Sequence, residues 1–433
     1  MPLCYTEAVH SDPATVVAIP SPCCGLVLKV YLNNYRKIKS YKYVVIIYSF
    51  VIIMKKENPF SAEHPVPPSK FAGRNKQIKD FEMFLDDTIG GNPKNIAVLG
   101  DWGIGKTSLL WKFKHIAESS GCVGTIIQLD RSIISYPALL ETIMHNLVSE
   151  AKHRRGLSSK VIDALDTVSL TIKYGGFGVG IKKEEDVTPS TIKFEEDLTK
   201  IYKQIDTPFL IMLDNIEEIF RFKGSLFSLR NVFQMLQSIK GNIRCMLIIA
   251  GKESLFKDII SVSEPVARFF WAVDLKWFEE DETKEAVLMA LKDTGVVFDD
   301  DVISIIHEKS EGHPYFVQAI SYVLYRNTSS DNVRMKDFTQ NYKDVVNFLG
   351  FRLFKSLFES VTKTEQSILL GFLKNEKDVV SNKELKKITR MDNVNTFLKR
   401  LNEHPIPLVL KEERGRYRLF HPLFKEYLKR ENL

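Results

Sequence analysis

Cysteine is scarce in this chain, and long apolar runs are missing. Five cysteines occur in 433 residues, and Cys4, Cys23 and Cys24 fall near the N-terminus. Cys122 and Cys245 remain, too few for a disulfide framework and not spaced as metal ligands. That excludes a disulfide-stapled secreted scaffold, and a reducing cytoplasm fits best. The most hydrophobic stretch, YVVIIYSFVIIM at 43–54, has 12 residues, where a membrane-spanning helix needs about 20. Lys37, Lys39 and Lys42 precede it as in a secretory signal, but no clear small-residue cleavage site follows. Met54, followed by KKENPF, reads as an alternative start. Residues 1–53 are therefore expected to be a mis-assigned N-terminal extension, with a disordered tail or a membrane anchor as the other readings. No membrane contact is expected for residues 54–433.

What is present describes an ordinary soluble protein, 44% hydrophobic and 26% charged. Its length calls for two or three domains. The net charge is localised: residues 361–433 hold 16 Lys/Arg against 10 Asp/Glu, which accounts for the whole +6. A basic C-terminal module on a neutral body points to nucleic acid or another polyanion. A solvated basic surface is the plainer alternative.

The most informative segment is NIAVLGDWGIGKTSLLWKFKHIA at 95–117. A short apolar strand leads into GDWGIGKT, which fits G-x-x-x-x-G-K-[ST], and a helical pattern follows with Leu109, Leu110 and Phe113 apolar. Glycines at 100, 103 and 105 let backbone N–H groups converge on phosphate oxygens. The start of the helix, with Ser108 in its first turn, adds partial positive charge. Lys106 is expected to reach the β- and γ-phosphates, and Thr107 to give its hydroxyl oxygen to Mg²⁺.

LIMLDNIEEIF at 210–220 supplies the matching half. Phe209 to Leu213 form a continuous apolar run, as in a strand buried on both faces. Asp214 then sits at the strand's C-terminal end, where parallel sheets place ligands, and is expected to hold Mg²⁺. The next residue is Asn215, where a second acid would serve to activate water; Glu217 and Glu218 come later. Runs at 124–130 and 245–254 add further strands, and Lys252 or Ser254 at the tip of the second is a candidate to sense the γ-phosphate. Apolar strands alternating with helical stretches predict an α/β fold with a parallel sheet. Residues 169–186, rich in glycine and β-branched residues, read as a hairpin.

With these residues in place, the chain resembles the AAA+/STAND-type P-loop ATPases of archaea and bacteria, relatives of the origin-recognition and NB-ARC ATPases. VPPSKFAGRNKQIKDFEMFL at 66–85 resembles the family's opening motif, which implies that Phe71, Gly73 and Arg74 lie near the adenine. EGHPYFVQAISYVLY at 311–325 resembles the G-x-P motif of a helical lid, which implies that Pro314 lies against the base. ARFFWAVDLKWFEEDET at 267–283 resembles the exit from the ATPase core, with Arg268 as the candidate arginine finger, in cis or across a subunit interface. The implied organisation is an ATPase core at 54–275, a helical lid at 276–360 and a winged helix at 361–433.

The C-terminal pattern agrees with that last module. Helical stretches at 362–376, 381–390 and 392–404 precede a strand, a turn at Arg414-Gly415 and a second strand. Ser381 and Glu384 have capping-box spacing. In a DNA-binding winged helix, Thr396, Lys399 and Arg400 would read the major groove and Arg414 and Arg416 would touch the backbone. Lys383, Lys386, Lys387 and Arg390 would contact phosphates. His421 reads either as a turn residue or, by the resemblance, as a histidine near the β-phosphate.

The expectation is an ATP-binding regulatory ATPase that uses ATP/ADP and Mg²⁺ as a conformational switch. Lys106, Asp214, Glu217 and Arg268 are its catalytic candidates, and hydrolysis is slow because Asn215 replaces an acid. Its winged helix contacts double-stranded DNA or a protein partner. Two alternatives stand beside it: a DNA-binding initiator loaded by ATP, and a signalling scaffold that self-associates with ATP.

Overall fold

The computed structural model describes residues 14–21, 25–32, 57–153, 162–163, 165, 187–238, 243–254, 264–328, 330–375 and 377–431. The chain divides into two units, Met1–Glu57 and Asn58–Leu433. The first contains an antiparallel hairpin, β1 (Ala14–Ser21) with β2 (Gly25–Leu32). The sequence reading assigned no element there. The hairpin expected at 169–186 and the apolar stretch at 43–54 lie outside the described residues.

The second unit begins with α1 (Asn75–Ile89) and builds on a five-stranded parallel sheet. Its strands are β3 (Ile96–Leu99), β4 (Val123–Gln128), β5 (Phe209–Asp214), β6 (Cys245–Gly251) and β7 (Trp271–Asp274), in the order β4-β5-β6-β3-β7. All pairings are parallel, as the continuous apolar runs predict. Period-two alternation splits β5 between two cores. Phe209, Ile211 and Leu213 face α3 (Tyr136–Lys152), α4 (Val187–Ile205) and α5 (Ser225–Ser238). Leu210 and Met212 face α1 and α2 (Lys106–Ser119). The chain leaves β3 for the far edge at β4, returns through β5 and β6, then crosses to β7, after α6 (Glu264–Phe269). The strand order thus reverses beside β3, which is where open parallel sheets bind ligands.

The lid comprises α7 (Glu280–Leu291), α8 (Asp300–Ser310), α9 (Pro314–Asn327) and α10 (Met335–Leu349), with short strands β8 (Val297–Phe298) and β9 (Asn332–Val333). A π-helical turn, Gly350–Phe354, leads into α11 (Lys355–Glu359). The winged helix follows: α12 (Lys363–Gly371), β10 (Val380–Ser381), α13 (Asn382–Thr389), α14 (Val394–Glu403), β11 (Val409–Glu413), β12 (Arg416–Leu419) and α15 (Pro422–Glu431). The capping box at Ser381 is formed: Glu384 N–H donates to Ser381 Oγ at 3.2 Å, and Ser381 N–H donates to Glu384 Oε2 at 2.8 Å. Lid and winged helix share one apolar core. Phe316 of α9 packs near Phe354, Phe420 and His421, with ring centroids 6.0, 6.3 and 3.9 Å away. Among the described residues, no helix is long and apolar enough to cross a membrane.

Candidate functional site

The loop at 100–107 joins the C-terminal end of β3 to α2. Gly103 has φ +72°, a left-handed conformation that glycine adopts without strain. A Cβ there would lie 2.7 Å from the His313 ring, so the lid can sit on the loop only because this residue is glycine. No side chain caps α2 at Gly105, so the unpaired N–H groups of its first turn are left for an anion.

Three side chains converge at this end of the sheet. Lys106 Nζ donates to the carbonyls of Gly100 and Asp101 at 2.9 and 2.8 Å. Burial pulls its ammonium below the ordinary lysine range, opposed by the nearby carboxylates of Glu217, Asp214 and Asp101. Thr107 Oγ1 donates to Asp214 Oδ2 at 2.5 Å. Asp214 is buried at the tip of β5, and its other oxygen accepts the Asn215 N–H at 3.0 Å.

Asn215 has φ +56° and opens a 3₁₀ turn, Ile216–Arg221. Asparagine tolerates this left-handed conformation better than most residues. The reversal turns Glu217 back toward the sheet, where its Oε1 accepts the Lys252 N–H at 2.6 Å. Glu217 is the foremost of the carboxylates acting on Lys106, ahead of Asp214. Glu218 points elsewhere and pairs with Arg221 at 2.9 Å.

A cavity of about 800 Å³ opens over this cluster. Gly103, Gly105, Lys106, Thr107, Ser108, Asp214 and Asn215 form its floor, and Pro314, Tyr315 and Gln318 of the lid one wall. Residues 61–66 cross it as a strap. Ser61 N–H donates to Gln318 Oε1 at 3.1 Å, and Val66 N–H donates to Ser108 Oγ at 3.0 Å, so the strap joins lid to loop helix. Trp102 of the loop packs on Tyr315 with centroids 4.7 Å apart, and His313 Nε2 meets the Trp102 carbonyl at 3.1 Å. Burial lowers the His313 pKa to about 4, so its ring is neutral and donates through Nε2.

Several sequence expectations change here. Phe71, Gly73 and Arg74 do not line the cavity; the strap at 61–66 does. Phe71 packs into the core under α1 and α2. Arg74 is buried with its guanidinium 4.6 Å from the Phe278 ring centroid, and Nη2 donates to the Ile104 carbonyl at 3.4 Å. It braces the loop from behind. Arg268 sits exposed in α6, just before Trp271, which pairs with Ile96 at the start of β3. It therefore lies at the opposite end of the strands from the loop and is no arginine finger in cis. His421 is buried away from the cavity: Nδ1 accepts the Leu423 N–H at 3.2 Å and Nε2 donates to the Ser310 carbonyl at 3.0 Å. The histidine that touches the loop is His313, the middle residue of the G-x-P motif.

In the winged helix, Thr396, Lys399 and Arg400 are exposed on α14, as are Lys383, Lys387, Arg390, Arg414 and Arg416 around them; Lys386 is half-buried. Arg418 instead turns inward and pairs with Glu311 of the lid at 3.1 Å and with Glu412.

Comparison with known proteins agrees with this architecture. No protein-family profile matches the chain. A curated relative, an uncharacterized HTH-type transcriptional regulator of Methanocaldococcus jannaschii, is 23% identical over 279 residues, 60% of this chain and 64% of the relative. The match thus spans less than two thirds of that protein. Among solved structures, the ORC2 protein of Aeropyrum pernix in its ADPNP–ADP complexes has a TM-score of 0.56 at 14% identity, covering 87% of this chain and 97% of that one. The Walker-type ATPase of Pyrococcus abyssi has a TM-score of 0.55 at 15% identity, covering 86% and 99%. The fold is that of these P-loop ATPases, with the parallel α/β core the sequence predicts.

Proposed function

We propose that this chain is a nucleotide-dependent regulator: it binds ATP and Mg²⁺, hydrolyses ATP slowly, and uses the bound phosphates to set the position of a DNA-contacting winged helix. One observation carries the reading. Lys106, Thr107 and Asp214 meet in a cavity whose walls come from both the core and the lid. A ligand filling it bonds both bodies, so its phosphate count can bias their arrangement.

Each residue has a task. The uncapped first turn of α2 and Lys106 bind phosphate oxygens. Thr107 and Asp214 are hard oxygen donors already in contact, which suits Mg²⁺. Among the described residues there is no group of three or more His, Cys, Asp or Glu able to hold a metal; a two-donor site suits an ion that keeps waters and phosphates as its other ligands. That ion would neutralise charge developing on the phosphates. Glu217 accepts a proton from the attacking water, and its bond to Lys252 N–H fixes its orientation. Arg268 supplies no charge in cis, so turnover is slow.

DNA contact draws on the exposed cations of α13, α14 and the wing and on the name of the Methanocaldococcus relative. Titration calorimetry tests the core of the proposal: the protein should bind ATP and ADP with Mg²⁺, and Lys106→Ala should bind ATP about 100-fold more weakly. Equal binding by the two would sink it.

A further inference from the structure

The lid grips the phosphate loop at one peptide unit. His313 Nε2 donates to the Trp102 carbonyl at 3.1 Å, and the Trp102 ring packs on Tyr315. A carbonyl only accepts, so the His313 proton sits on Nε2. The imidazole is itself held in place. Its residue is 6% exposed, the His313 N–H donates to the Ser310 carbonyl at 2.9 Å, and the rings of Phe316 and Trp277 stand 5.0 and 5.8 Å away. The Trp102–Gly103 peptide is trans, and in a trans peptide the C=O and the following N–H point in opposite directions. The Trp102 carbonyl is turned out to His313, which does not line the cavity; Gly103 does. The Gly103 N–H is therefore turned away from the lid histidine and toward the cavity. Among the described residues no acceptor takes this N–H.

We propose that His313 is a positioning residue for phosphate: by holding the Trp102 carbonyl it keeps the Gly103 N–H aimed at the phosphates of a bound nucleotide, so that the lid completes the anion cradle of the core. The inference rests on the nucleotide-binding reading above and adds the lid residue that sets the loop. A choice has to be made at this peptide, because glycine at 103 adopts either sign of φ without strain. Turned over, the same unit would present the Trp102 carbonyl to the phosphates and exchange a donor for a repelling acceptor. Among the described residues, His313 is the one donor to that carbonyl. Glycine at 103 serves the contact twice, since a Cβ there would meet the His313 ring at 2.7 Å and push it off the loop. A lid that swings away takes the imidazole with it and leaves the peptide free to turn.

Nuclear magnetic resonance on the full chain tests this, with calorimetry alongside. Carbonyl-labelled tryptophan combined with nitrogen-labelled glycine isolates a single peptide, because Trp102-Gly103 is the only Trp-Gly pair in the sequence. In the native chain, ADP with Mg²⁺ should shift the Gly103 amide proton downfield and slow its exchange. His313→Leu has no donor, and in His313→Asn the amide ends short of the carbonyl. Both should bind ADP about tenfold more weakly, the size of one hydrogen bond to a charged acceptor, and their Gly103 amides should not respond. His313→Gln, whose longer amide can donate to the same carbonyl, should restore both affinity and response. Slow exchange in β5 serves as the control for an intact fold. A native chain that binds ADP with no response at Gly103 overturns the proposal without any variant. So does a response that survives in His313→Leu or His313→Asn, which would leave His313 a packing residue, and so does His313→Gln binding as weakly as those two. If calorimetry detects no nucleotide binding by the native chain, the nucleotide reading falls, and this inference with it.

Discussion

Glu217 Oε1 accepts the backbone N–H of Lys252 at 2.6 Å, which joins the strand bearing the Mg²⁺ candidate Asp214 to the neighbouring strand tip. The bond holds an acid two residues beyond the expected position, where its charge still acts on Lys106. Glu217→Gln should cut ATP turnover about 100-fold, the usual size of a general-base contribution, with little change in ATP affinity. Asn215→Glu should not raise turnover, because the left-handed backbone at 215 suits asparagine and disfavours glutamate. Single-turnover kinetics on both variants decide the matter. A rate gain in Asn215→Glu would return the missing acid to the centre of the explanation.

Lys106 and Thr107 should separate affinity from metal dependence. Lys106→Ala should weaken ATP about 100-fold, the loss of one or two charge-assisted bonds. Thr107→Ala should retain binding without Mg²⁺ but lose the gain that Mg²⁺ confers. Calorimetry with and without the ion measures both.

His313 and His421 predict an acid limit to stability. Burial lowers their pKa values to about 4 and about 3, from an ordinary 6.5. Below pH 6.5 the unfolded chain takes up protons that the folded chain refuses, so stability falls with pH. The contribution is complete above about pH 6.5 and is lost progressively as pH drops toward 4 and 3. His313 contributes on the order of 3 kcal/mol and His421 on the order of 5 kcal/mol across that window. Denaturant midpoints between pH 7.5 and 5 should fall, and fall less steeply in His421→Gln. An unchanged slope would place the acid sensitivity elsewhere.

The exposed cations of the winged helix predict a salt-sensitive DNA affinity. Log affinity should fall linearly with log salt, and removal of Lys399 or Arg414 should each reduce the slope by about one. Fluorescence anisotropy on duplexes over a salt series measures this. No binding at low salt would leave the module as a protein contact only.

Much of this was legible from residues 95–117 and 209–214, because apolar strands and a phosphate loop are local patterns. The order of the winged-helix elements was legible for the same reason. The rest depends on long-range contacts. Residues 61–66 carry no periodicity; bonds to Gln318 and Ser108 and the Glu63–Arg352 ion pair at 2.8 Å make them a wall. Glu217 was a candidate on spacing alone; its aim follows from φ at Asn215, which the asparagine hints at but does not fix. Arg268 lies close in sequence to a core strand, but at its starting end, which a parallel sheet puts opposite the phosphate loop. His313 lay unread inside its own motif, since its partner, the Trp102 carbonyl, is 211 residues distant.

The core shared by Phe316, Phe354, Phe420 and Phe424 makes residue 360 a poor place to cut the gene. A fragment ending there would expose the faces of α9 and α10 to water, and a fragment starting there would lack the wall against which α15 folds. Deletion analysis of the winged helix would therefore report on solubility before it reported on DNA. Point changes at Lys399, Arg400 or Lys252, which leave that core closed, are the cleaner way to take the molecule apart.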